Sequence, residues 1–245
     1  MDVLLSSDSF ISVISAAIEG YKSEVGGLLF GDHFPTSGKL VVKLAIPLQT
    51  TRRTLNHVHF HHQRTDRVRR TWDYLTVHWP LGTFHSHPEG RGQRYNPVPS
   101  KSDIPFNGSE NIDVIIALWE SSRHKTLHYI HHNQWIAGTA GAFYIQLAAW
   151  KYPGEGQFEN IDLWCPYIDI INLSYEVGLT NQPGRLFWHE TITPKGPLRK
   201  LHHLVYKYET SIFKTLNHEI GEPILQQIKG VLTKIQTVNQ RTITS

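Results

Sequence analysis

The chain predicts an α/β protein: a mixed β-sheet with helices on its faces, followed by a helical C-terminal extension. Three observations predict it. Over residues 1–150, apolar runs at strand spacing alternate with stretches at helical spacing. The composition shifts at Lys151-Tyr152-Pro153-Gly154-Glu155-Gly156, which reads as the end of that core domain. In residues 151–245, an aromatic, loop-rich region gives way to two amphipathic helical stripes.

Taken in order, Val3 to Leu5 reads as a short strand. Ser7 or Asp8 then caps a helix carrying Phe10, Ile11, Ile14, Ala17, Ile18 and Tyr21 at helical spacing. Glu24 to Phe30 reads as a strand whose Gly26-Gly27 pair admits close approach of another backbone or a substrate. Leu40 to Leu48 predicts a strand, with Asn56 to His61 as its partner. Asp66 to His78 predicts a helix that Pro80-Leu81-Gly82 stops, and Thr83 to His87 a further strand. The near-continuous apolar run from Asp113 to Trp119 predicts a buried strand. Thr126 to Ile130 and Ala142 to Trp150 supply two more. Leu198 to Ile220 forms one helical stripe through Leu201, Leu204, Val205, Tyr208, Ile212, Phe213 and Leu216. Pro223 starts another with Ile224, Leu225, Ile228, Leu232 and Ile235, so an αα-hairpin is expected to pack on the core or in a homodimer. The polar end from Gln236 is expected to fray.

Composition narrows the function classes. A single cysteine, Cys165, excludes an internal disulfide and points to a reducing, cytoplasmic setting. The acidic, serine-interrupted N-terminus does not resemble a signal peptide, and no apolar run reaches membrane-spanning length. A formal charge of +3 does not announce a nucleic-acid partner. Arg52, Arg53, Arg64, Arg67, Arg69 and Arg70 lack interleaved aromatics, so they read as a solvated or protein-docking face.

The chemistry concentrates in Thr83-Phe84-His85-Ser86-His87-Pro88 and Pro99-Ser100-Lys101-Ser102-Asp103. His85 and His87, one residue apart on a strand, project to the same side. A returning carboxylate completes a three-ligand set that suits zinc and leaves a fourth position open. Asp103 is the preferred carboxylate; Glu89, Glu110 and Asp113 compete with it. The tract His57-Val58-His59-Phe60-His61-His62 also places three imidazoles on one strand face, but brings no carboxylate or base with them.

A glutamate heading a Gly-rich apolar strand (Glu24-Val25-Gly26-Gly27), then HSHP, then PSxxD, resembles the JAMM motif of the JAB/MPN zinc metalloproteases. The resemblance implies a cytidine-deaminase-like core with a curved sheet over residues 1–150. It also implies zinc held by His85, His87 and Asp103, Glu24 as general base, and Ser100 as oxyanion donor. The implied activity is deubiquitinase-like isopeptidase cleavage after the tail of ubiquitin or a ubiquitin-like protein, in a bacterial or archaeal conjugation system. Enzymes of that pathway are implied as further partners. Sulfur-carrier processing, small-amide hydrolysis and a non-catalytic MPN scaffold are the alternatives. The 15 residues 88–102 between His87 and Asp103 exceed the family's usual spacing. The excess falls in the loop Glu89 to Val98, where Arg91, Arg94 and Tyr95 are the expected substrate contacts.

Overall fold

The computed structural model describes residues 2–49, 52–53, 58–59, 62–90, 93–100, 103, 112–120, 129–132, 134–154, 157–178, 197–217 and 219–243. Its strands are β1 (Asp2–Leu5), β2 (Gly26–Phe34), β3 (Lys39–Pro47), β4 (Arg52–Arg53), β5 (Val58–His59), β6 (Trp79–Pro88), β7 (Ile112–Glu120), β8 (Tyr129–His132), β9 (Trp135–Ala140), β10 (Phe143–Gly154) and β11 (Gln157–Trp164). Its α-helices are α1 (Ser7–Glu19), α2 (His62–Leu75), α3 (Pro166–Glu176), α4 (Pro197–Thr215) and α5 (Glu222–Ile243).

The expected sheet, open and flanked by helices, is not what forms. The sheet runs β11-β1-β3-β2-β6-β7-β10-β9-β8, and β11 also pairs with β10. That last pairing joins the first strand of the series to the seventh, so the seven strands from β11 to β10 close into a mixed barrel. Closure comes from Gln157–Trp164, which lies beyond the expected end of the core. It pairs parallel to β1 through Val3 and Leu163, and antiparallel to β10 through Ala149 and Ile161. The cytidine-deaminase-like sheet implied by the motif is therefore corrected to a closed barrel, still α/β in content.

Local causes explain the elements. Ser6, rather than Ser7 or Asp8, caps α1: its hydroxyl accepts from the Ser9 amide at 3.2 Å. Phe10, Val13, Ile14 and Ala17 form the buried face of that helix, which packs on β3, β6 and β7. Strand β7 is flanked on both sides, parallel to β6 and antiparallel to β10, and Ile112 to Leu118 is buried throughout. Trp79 and Pro80 open β6 rather than ending a helix, and α2 stops at Leu75. The partners of β3 are β1 and β2, whereas Val58–His59 pairs with Arg52–Arg53 in a separate two-stranded sheet. Strand β9 was not anticipated. Of Thr126 to Ile130, Tyr129 and Ile130 belong to β8, and residues 121–128 lie outside the described residues.

The chain divides into two compact units, residues 1–124 with 130–165 and residues 125–129 with 166–245. The first holds the barrel. In the second, α3 packs on α4 and α5, around Leu201, Leu204, Tyr208 and Ile212 of α4 and Ile228 and Leu232 of α5. The Tyr208 hydroxyl donates to Asp169 Oδ2 at 2.7 Å. Helix α3 occupies sequence expected to be loop, and α5 extends to Ile243 rather than fraying from Gln236. Among the described residues, no helix is long and apolar enough to cross a membrane.

Gly82 is a backbone constraint on the strand that bears the histidines. It has φ +157, and a Cβ there would strike the carbonyl oxygen of Ile112, its partner on β7. Gly82→Ala is expected to destabilise the protein by about 1–3 kcal/mol through strain at the β6–β7 junction. Denaturant unfolding measures this, and an unchanged midpoint would contradict it.

Candidate metal centre

The geometry begins with the pairing of β2, β6 and β7. Gly26 lies opposite His85 on β6, and His85 lies beside Ile115 on β7. The Val25 amide is bound by the Ser86 hydroxyl at 3.0 Å, and the Ser86 amide donates to the Val25 carbonyl at 2.8 Å. Ser86 thus faces away from the histidines and ties the Glu24 segment to their strand. The paired register ends at Gly26, and Glu24 precedes it by two residues; continued that far, the same register would put Glu24 across from His87. Glu24 is buried, 6% exposed. At Gly27 the close approach comes from the Ile46 carbonyl and the Phe84 ring.

His85, His87 and Asp103 come together as one group whose ligand atoms lie within 4.8 Å of one another. The two Nε2 atoms are 3.1 Å apart, and Asp103 Oδ2 is 3.6 Å from each. Zinc with nitrogen and oxygen ligands at about 2.0–2.2 Å in a tetrahedron places those ligands about 3.3–3.6 Å apart. The triangle brackets that range, so the residues fit the metal that the motif implies.

The outer nitrogens strengthen the fit. His87 Nδ1 lies 3.2 Å from the Asn96 carbonyl, an acceptor, so Nδ1 must carry the proton. His85 Nδ1 lies 3.0 Å from Asp113 Oδ2, while the other oxygen of Asp113 accepts from the Thr83 hydroxyl at 3.0 Å. With both Nδ1 atoms protonated, the neutral rings turn two lone pairs towards each other. A proton or a metal ion between them removes that repulsion.

The electrostatics follow. Burial disfavours a charged His85, but the Asp113 carboxylate beside it, with Asp103, overrides this and holds its pKa well above 6.5. Burial also opposes ionisation of Asp103, yet hydrogen bonds from His85 and His87 keep its carboxyl far below the ordinary range. The Ser100 amide donates to Asp103 Oδ2 at 2.6 Å, and the Asp103 amide returns a bond to the Ser100 carbonyl at 3.0 Å. The Ser100 main chain thus orients the Asp103 carboxylate, and the residue itself is exposed.

The loop after β6 is a structural member of the site. Gly90 and Gln93 exchange backbone hydrogen bonds, the Trp150 indole donates to the Pro97 carbonyl at 2.8 Å, and the guanidinium of Arg94 sits 5.3 Å from the centre of the Trp119 ring. Tyr95 is half-buried, with its ring against Gly90. Arg91 lies outside the described residues, as do His57, His61 and residues 104–111. Sequence reasoning missed Asn96, and weighed Asp113 only as a rival to Asp103 rather than as the partner of His85. A main-chain acceptor leaves no trace in the sequence. Asp113 did leave one: a lone acid at the head of a buried apolar strand must be paired.

No protein-family profile matches the chain, and no curated protein does. A protein of Desulfitobacterium hafniense, solved in solution by a structural genomics consortium, is similar over 66% of this chain and 92% of its own, at 18% identity and a TM-score of 0.43. That likeness is too slight to carry an argument.

Two tests follow. A folded pKa raised above the unfolded value means that metal-free protein gains stability from His85 below about pH 6.5 and loses it as pH rises through the folded pKa. Zinc must displace that proton, so zinc affinity runs the other way and rises with pH over the same window. Thermal melting of metal-free protein and zinc competition titrations across the range should show opposite slopes; parallel slopes would exclude a shared site. Replacing Trp150 by Phe, or shortening 89–98, loosens the carbonyl that holds His87, and should weaken zinc about 10-fold. Chelator competition reads that loss, and unchanged affinity would mean that the loop does not hold the ligand.

Proposed function

We propose that the chain is a zinc-dependent isopeptidase or peptidase that hydrolyses the bond after the C-terminal tail of a ubiquitin-like protein. The observation that carries the proposal is the triangle of His85, His87 and Asp103, with both outer ring nitrogens occupied. The reading rests on the motif and on this geometry, not on the fold, since the closed barrel departs from the sheet that the motif implied.

Zinc held at the three residues would supply Lewis acidity towards a scissile carbonyl and ease the ionisation of water near neutral pH. The buried Glu24 would take a proton from the attacking water as its oxygen bonds to the carbonyl carbon. It would then return that proton to the leaving amine as the carbon–nitrogen bond breaks. Ser100 would steady the developing oxyanion with its hydroxyl while its amide keeps Asp103 in place. An extended tail would approach along the loop that carries Arg94 and Tyr95, since β2, β6 and β7 are each paired on both sides and leave no edge for β-augmentation. The ubiquitin-like substrate and its conjugation enzymes are the partners we assign. With one cysteine, buried and reduced, the setting we assign is the cytoplasm.

Glu24→Gln should retain zinc and fold but lose about two to four orders of magnitude in the cleavage rate of a ubiquitin-like fusion. Asp103→Ala should lose zinc and turnover together. Near-normal cleavage by Glu24→Gln at saturating substrate would remove it as the base. A full zinc load in Asp103→Ala would show that another group supplies the third bond.

A further inference from the structure

We infer that Asp113 is a positioning residue for the metal centre: its carboxylate fixes the ring of His85 through Nδ1 and so aims Nε2 at the cation. The inference rests on the reading that His85, His87 and Asp103 hold zinc.

Asp113 is 7% exposed and stands among Ile112, Val114, Ile115 and Ile116, all fully buried. A carboxylate in such surroundings is costly unless it is paired and hydrogen-bonded. Both of its oxygens are engaged. The parallel register sets Thr83 directly beside Asp113, and the Thr83 hydroxyl donates to Oδ1 at 3.0 Å. Oδ2 meets His85 Nδ1 at 3.0 Å. One carboxylate therefore bridges Thr83 and His85, which share a face of β6.

This placement separates Asp113 from the ligands. Its oxygens are committed to Thr83 and to the ring nitrogen that faces away from His87 and Asp103. A carboxylate behind a metal-binding imidazole selects the Nδ1–H tautomer, leaves the Nε2 lone pair for the metal, and strengthens the ligand. The two histidines are supported unequally. His87 leans on a neutral carbonyl in a loop, whereas His85 leans on a charged group inside the barrel wall. His85 is accordingly the anchoring ligand.

The experiment compares wild type with Asp113→Asn, Asp113→Ala and Thr83→Val, using zinc alone as the probe. Zinc affinity comes from chelator competition, the His85 tautomer from nitrogen NMR of the imidazoles, and folding from thermal melting. Asn can still accept from Nδ1 but carries no charge, so it should keep the tautomer and bind zinc about 10-fold more weakly. Ala should bind about 100-fold more weakly and show mixed tautomers. Val at position 83 should fall between wild type and Asn. If Ala fails to fold, Asn and Val, which conserve volume, decide the matter. Unchanged zinc affinity in those two variants would overturn the positioning role while leaving the metal site intact. So would a lower melting temperature in Asp113→Ala with the tautomer preserved, since that marks a merely structural group. Absence of zinc binding by the wild type would instead remove the metal reading itself.

Discussion

Two imidazole nitrogens facing each other at 3.1 Å within a buried wall of strands are the constraint on which the site depends. Neither ring can relieve the contact by turning over, because His85 is held from behind by Asp113 and His87 by the Asn96 carbonyl. The protein must therefore place positive charge between them, as a proton or a metal ion. Asp103 Oδ2, 3.6 Å from each nitrogen, lends negative charge to that same point. A surface ion pair would gain little from such an arrangement, since water screens it. Here the histidines are almost wholly buried, and the field of two carboxylates acts on them with little screening.

The strand pattern explains why these groups meet. Strands β6 and β7 are parallel, and parallel neighbours cannot be joined by a tight hairpin. The chain must leave the end of β6 and travel back to the start of β7. Residues 89–111 make that journey, and on the way they deliver Asn96, Ser100 and Asp103 to the end of the strand that bears the histidines. The site thus lies at the carboxyl end of a parallel strand, where crossover loops converge. On the other flank, the antiparallel pairing with β2 sets Gly26 beside His85, two residues along the chain from the buried Glu24. The extended spacing between His87 and Asp103 then has a physical role: the added loop is pinned by Trp150 and Trp119 and supplies a carbonyl to a ligand.

Much of this site was legible in the sequence because it is encoded locally. Period-two spacing placed His85 and His87 on one face, and the apolar run after Asp113 announced β7. What escaped were relations between distant segments. In Gln157–Trp164 only Ile161 and Leu163 are fully buried, and polar residues intervene, so the segment reads as weakly as a loop. Its pairing with β1 spans nearly the whole unit, and no local signal foretells it. The cap of α1 slipped by one residue, from Ser7 to Ser6, since three serines crowd that turn. In the second unit, the helical stripe of α4 was plain. Helix α3 was hidden by its aromatic, proline-led start.

Closing the sheet changes the surroundings of the histidines without changing their neighbours. The strands that hold the cluster, β2, β6 and β7, keep their mutual register whether the sheet ends at its edges or meets itself through β10 and β11. Closure instead removes the free edges of β1 and β10 along the paired residues, and with them a surface prone to pairing with other chains. It also stiffens β7 from behind, since β10 is held on both sides, by β7 and by β11. A metal site of three ligands needs those ligands held to within a fraction of an ångström. The barrel contributes that rigidity at β6 and β7, while the crossover loop contributes Asp103, the one member of the cluster that arrives from outside the sheet.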